Sequence, residues 1–82
     1  MIQQIYNTQG TCAKMIDITL TDDKKIDNVV FIGGCHGNTQ GIARLVKGMP
    51  AEEVISRLQG IRCGMKTTSC PDQLAKALKE MV

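Results

Sequence analysis

The stretch Lys14-Met15-Ile16-Asp17-Ile18-Thr19-Leu20 decides the fold. Ile16, Ile18 and Leu20 fall on one side of a two-residue period, and Met15, Asp17 and Thr19 fall on the other. That alternation predicts a half-buried strand. Thr21-Asp22-Asp23-Lys24 follows, polar and turn-forming. A second alternating run covers Ile26 to Ile32, with Val29-Val30-Phe31-Ile32 strongly β-prone. Two strands joined by a short polar turn predict an antiparallel hairpin near Lys14 to Ile32. Upstream, Ile2 to Tyr6 reads as a first, edge strand broken by Gly10-Thr11.

Downstream the period changes at Gly33-Gly34-Cys35-His36-Gly37. Asn38 or Thr39 offers an N-cap, and Ile42, Leu45 and Val46 follow at helical spacing, so a helix is expected near 39–47, ended by Gly48. A second is expected near 50–59, with Pro50 in its first turn, Glu52 and Glu53 at its positive end, and Gly60 closing it. A third is expected near 70–81, opened by Ser69 and Asp72 as a capping-box-like pair and striped by Leu74, Ala75, Leu78 and Met81. Strands first and helices after predict an α+β fold: a small antiparallel sheet of two or three strands with three helices packed on one face.

The chain of 82 residues is read as one domain over 1–82. With one Tyr, one Phe and no Trp, its core must be aliphatic. A chain this short buries only about 60% of its unfolded surface. Such chains commonly gain stability from a disulfide, a bound metal or a partner subunit, which keeps a homo-oligomer open. The net charge of +2 is small and the basic residues are scattered, so neither nucleic acid nor a membrane surface is indicated as a partner. Met1 to Tyr6 lacks the basic start and long apolar stretch of a signal peptide, and no apolar run spans a bilayer. The cytoplasm is the expected compartment, where thiols stay reduced.

Four cysteines in such a chain point to metal or redox chemistry before a disulfide framework. Cys12 precedes a strand, Cys35 lies in a glycine-rich strand-to-helix loop, Cys63 lies in a connection and Cys70 opens a helix. Core-filling cysteines usually sit on the buried face of an element, not at junctions. Two helix starts, after Cys35 and at Cys70, also favour thiolates. The spacing is not that of a C-x-x-C zinc finger, so inert thiols, a metal or iron–sulfur site and a redox dithiol all stay open. His36 is a further ligand or proton-donor candidate, with a solvated loop histidine as the plainer reading. Asp72 is a ligand candidate for which helix capping is the simpler account. The Gly33–Gly37 turn lacks the lysine and spacing of a P-loop, so it reads as a tight turn before it reads as a phosphate cradle.

Thr68-Ser69-Cys70-Pro71-Asp72 resembles the five-residue signature of the TSCPD domain family. Gly10-Thr11-Cys12, Gly33-Gly34-Cys35 and Ile61-Arg62-Cys63 agree with it, so the resemblance runs from Gly10 to Val82. Domains of this kind occur alone and at the C-terminal end of some ribonucleotide reductases, including cobalamin-dependent ones. The resemblance implies that all four cysteines belong to the family pattern. It brings no reductase active site, because 82 residues cannot contain the large barrel that holds one. More distantly, the order of Cys12, Cys35 and Cys70 is similar to that in U-type iron–sulfur scaffold proteins, which carry an aspartate where this chain has Lys14 and a histidine where it has Ser69.

These readings lead to a metal- or cluster-binding module with Cys12, Cys35, Cys63 and Cys70 as ligands for zinc or an iron–sulfur cluster. Its expected partner is a ribonucleotide reductase or another protein. The rival from the enzyme class is a thiol–disulfide partner of a ribonucleotide reductase that exchanges through Cys63 and Cys70. A third reading is an interaction domain with inert cysteines.

Overall fold

Strand β2, Ala13–Leu20, is the spine of a three-stranded antiparallel sheet of order β1-β2-β3. β1 spans Ile2–Asn7 and β3 spans Ile26–Gly33. The computed structural model describes residues 1–11, 13–34 and 36–82, with His36 described by its backbone alone. Three helices follow: α1 over His36–Val46, α2 over Ala51–Leu58 and α3 over Cys70–Met81. The fold is α+β, as the order of periodicities predicts.

The alternation in β2 is realised as written. Ile16, Ile18 and Leu20 are fully buried, while Met15, Asp17 and Thr19 line the more open face. β3 departs from strict alternation. Leu20 pairs with Ile26 but Thr19 pairs with Asn28, so Asp27 is an extra residue in the ladder. A bulge of this kind shifts every later side chain to the other face. It puts Ile26 and Val29 together in the core and leaves Val30 and Ile32 outward. A second irregularity, at Lys14, turns Ala13 inward beside Ile16.

The core joins Ile16, Ile18, Leu20, Ile26 and Val29 of the sheet to Val46, Val54, Leu74, Leu78 and Met81 of the three helices. It is aliphatic, and Tyr6 and Phe31 pack only at its margin. Lys24, at φ +65°, lets the β2–β3 turn close, and its carbonyl accepts from Ala51 N at 2.9 Å. Gly48 ends α1 at φ +86° and donates to Ile26 O at 2.8 Å, while Ile26 N donates to Met49 O at 2.9 Å. The link between α1 and α2 is thereby stitched to the start of β3.

Two helix starts differ from expectation. α1 begins at His36, ahead of Asn38 and Thr39, which lie inside its first turn. Gly33 and Gly34, both at positive φ, turn the chain just ahead of the helix. Gly37 and Gly41 hide that start because glycine is a poor helix former. Pro50 is the N-cap of α2, not a first-turn residue; at φ −59° and ψ 138° it is extended and bridged to Lys25. α3 starts and ends where expected. No helix among the described residues is long and apolar enough to cross a membrane.

Replacing Ile18 by Ala removes a central, fully buried side chain and should cost about 2–5 kcal/mol. Ile5→Ala, on the open face of β1, should cost less than about 1 kcal/mol. Urea unfolding of the two variants checks the assignment of faces, and equal losses would contradict it.

Candidate functional site

The signature Thr68–Asp72 is a knot of polar contacts at the start of α3. Ser69 is the N-cap: its Oγ accepts from Asp72 N at 3.1 Å and donates to Ile61 O at 2.6 Å. Pro71 lies in the first turn, where its missing N–H leaves no helical bond unmade. The capping box is only half formed, because the Asp72 carboxylate does not return to the backbone of Ser69. It accepts instead from Gly60 N at 2.7 Å and from the Thr68 hydroxyl, and pairs with Lys76 at 3.3 Å. Asp72 is buried at 4% exposure. Burial opposes its ionisation, but the bonds from Thr68, Gly60 and Lys76 outweigh that and hold its carboxyl below the usual range. With these donors engaged, Asp72 acts as a structural anchor between Gly60, Thr68 and Lys76, a different role from the reciprocal cap that the capping-box pairing predicts.

This knot shapes the loop that carries Cys63. Cys63 N donates to Thr68 O at 3.2 Å, and Lys66 N donates to Cys63 O at 3.0 Å, closing a tight turn through Gly64 at φ +59°. A second loop is drawn to the same place. Gln73 in α3 donates to Thr68 Oγ1 at 3.0 Å, and its carbonyl oxygen accepts from Gln9 N at 3.2 Å. Gly10 lies so near Thr68 that an added Cβ would come within 3.1 Å of its methyl group, and its φ of +76° favours glycine in any case. The segment Gln9–Thr11 therefore rests against the start of α3. Ala13 pairs with Gly33 across the sheet, so the entry to β2 and the exit from β3 share one end, where α1 begins.

A hollow of about 180 Å³ opens at this end. Thr11, Asn38, Arg62, Cys63, Lys66 and Cys70 are among its lining residues. Cys63 is exposed and Cys70 half-buried, and both are free thiols. Thr11 is the chain neighbour of Cys12, and Asn38 lies in the first turn of α1 just beyond Cys35 and His36. Cys12, Cys35 and the His36 side chain lie outside the described residues, and among the described ones no group of three His, Cys, Asp or Glu converges on a metal position. The positive-φ glycines before Cys35 fit the tight-turn reading of Gly33–Gly37.

A family model for the TSCPD domain matches residues 3–82. The chain belongs to the TSCPD family. The match takes in β1, ahead of the Gly10 at which the motif resemblance starts. No curated protein and no solved structure gives a match.

In this TSCPD domain the signature residues divide their work: Thr68, Ser69 and Asp72 hold the frame, Pro71 fits the first turn, and Cys70 reaches the hollow. Gln73 is the tether that sequence reasoning missed, since a glutamine on a helix reads as solvated until its remote partner Gln9 is known. Arg62 and Lys66 gave only a weak signal, their closeness to Cys63.

The depressed ionisation of Asp72 sets a pH dependence. A carboxyl whose folded pKa lies below its unfolded value stabilises the fold above the ordinary carboxylate range, and that contribution is lost as pH falls through the folded pKa. Asp72→Asn should cost about 2 kcal/mol at pH 7, roughly 10 °C in Tm. The gap from wild type should close in acid, below about pH 4. Thermal melts of both proteins across pH check this, and a gap that does not vary with pH would contradict it.

Proposed function

We propose that this TSCPD domain is a thiolate metal-binding module, with Cys12, Cys35, Cys63 and Cys70 as ligands for zinc or an iron–sulfur cluster. The observation that carries the reading is the single hollow lined by Cys63, by Cys70 and by near neighbours of the other two cysteines, Thr11 and Asn38. The donor set suits the group. Soft thiolates select zinc and iron–sulfur clusters over magnesium or calcium. Four thiolates around a 2+ centre leave a net charge of −2, and Arg62 and Lys66 on the wall of the hollow offset it. A zinc ion in four thiolates supplies structural cross-linking, whereas a cluster supplies electron transfer or cluster delivery.

The residues of the chain have definable tasks around such a centre. Ser69 and Asp72 fix where α3 starts and hence where Cys70 stands. The turn through Gly64 presents Cys63, whose exposure leaves the site open on one side. A ribonucleotide reductase, or another protein, is the proposed partner on that open side. The domain would then serve as a centre-bearing appendage, with reduction chemistry housed in the partner. A second reading rests on the presence of the two free thiols, Cys63 and Cys70, in the same hollow: they could act as an exchanging dithiol.

Protein purified without oxygen should carry either roughly one zinc per chain, without colour, or iron and sulfide with visible absorption. Cys35→Ser and Cys63→Ser should each lower metal retention by about tenfold or more. At about 100-fold saturation, bound metal contributes roughly 2.7 kcal/mol, so chelator should lower Tm by more than about 10 °C. Elemental analysis, the visible spectrum and melting with and without chelator read this out. Metal-free protein that ignores chelator but loses two thiols on oxidation would replace the metal reading with the dithiol one.

A further inference from the structure

β3 is an edge strand, and its outer side differs from that of β1. The β1 edge mixes Gln3, Gln4 and Asn7 with the exposed Ile2 and Ile5, and Gln4 reaches Glu80 of α3 at 3.3 Å. The β3 edge runs Asn28-Val29-Val30-Phe31-Ile32, without the lysine or proline that commonly blunts an edge. Its outward backbone is occupied at Ile26, by Gly48 and Met49. Beyond Ile26, no described backbone group pairs with that side of the strand. A groove of about 390 Å³ runs there, between residues 28–31 of β3 and Ala43 and Arg44 of α1, with Lys47 just past the end of that helix. Four consecutive strand residues on its wall mean that the backbone edge itself lines the groove, because alternate side chains point to opposite faces.

We propose that this groove takes an extended, acidic segment of a partner protein, which adds to the sheet as a fourth strand along β3. A row of unpaired N–H and C=O groups is matched in spacing only by another strand, the mode of recognition in which main-chain bonds supply affinity and flanking side chains supply specificity. The small side chain of Ala43 leaves room between helix and strand. Arg44 and Lys47 are the charged groups lining the groove, both exposed, and among the described lining residues there is no carboxylate. An acidic segment answers that charge. A second copy pairing β3 to β3 answers it poorly, because it would bring Arg44 and Lys47 of both copies to one seam. The site is separate from the cysteine hollow, and the inference does not rest on metal binding.

A random-peptide display library selected on the full chain should enrich sequences that alternate acidic with β-branched or aromatic residues. The best of them, made synthetically, should slow amide hydrogen exchange across residues 28–31 by about tenfold or more. The double variant Arg44→Glu/Lys47→Glu should bind that peptide about tenfold more weakly, with its Tm unchanged. Peptides that are not acidic, binding that maps away from β3, or a selection that yields no binder would each overturn the proposal. So would protection of residues 28–31 that rises with the concentration of the protein alone, since that result would assign the edge to self-pairing.

Discussion

The carboxylate of Asp72 is the constraint on which the cysteine-bearing end of the molecule depends. It is buried, it is ionised, and its partners come from three places: the exit of α2 at Gly60, the loop before α3 at Thr68, and the next turn of α3 at Lys76. An ionised carboxylate only accepts hydrogen bonds, so it can gather several donors that an amide or hydroxyl would match only in part. Charge-assisted bonds are roughly twice as strong as neutral ones, which is what offsets taking the charge out of water. Removing the carboxylate would take one hydrogen bond from each end of the 60–69 connection, at Gly60 and at Thr68. That connection carries Cys63 and sets the first residue of α3, Cys70.

The rest of the molecule holds together by a different means. Its core is a thin aliphatic layer between one sheet face and three helices, without a fully buried aromatic ring. The apolar layer selects the fold, but hydrophobic contact is non-directional and positions loops poorly. The cysteine-bearing end uses directional bonds instead: Ser69 to Ile61, Gln73 to Gln9 and Thr68, Gly10 against Thr68. Precision is placed where ligands would have to be held, and the apolar layer needs only correct volume.

How much of this could be read from the chain depended on how local each cause is. The strand β2 was legible because three buried residues at spacing two leave no other face to bury. The limits of α3 were legible because Ser69 and Pro71 act within one turn. The start of α1 was not, since Gly37 and Gly41 argue against helix and the deciding turn lies upstream in Gly33 and Gly34. The switch of face in β3 was not either. Whether Asp27 bulges depends on the partner strand and on the bond from Ile26 to Met49, contacts that no window of β3 contains. The four cysteines could be assigned to junctions from sequence. That Cys63 and Cys70 share a hollow with Thr11 and Asn38 follows from β1 and β3 flanking β2, and from Gln73 reaching Gln9.

Helix α1 links the two surfaces that the fold leaves open. Its first turn, at Asn38, borders the cysteine hollow, and its last turn, at Arg44, borders the groove along β3 together with Lys47 just past the helix end. At 1.5 Å per residue Asn38 and Arg44 stand about 9 Å apart along the axis, close enough for one partner to span. A segment lying along β3 would fill the space between that strand and Ala43. α1 is followed at once by Gly48 and Met49, which are bonded to Ile26, so its C-terminal end is held to the sheet. Its N-terminal end lies just beyond the positive-φ pair Gly33 and Gly34. In a fold this small, one helix thus forms part of the wall of both surfaces.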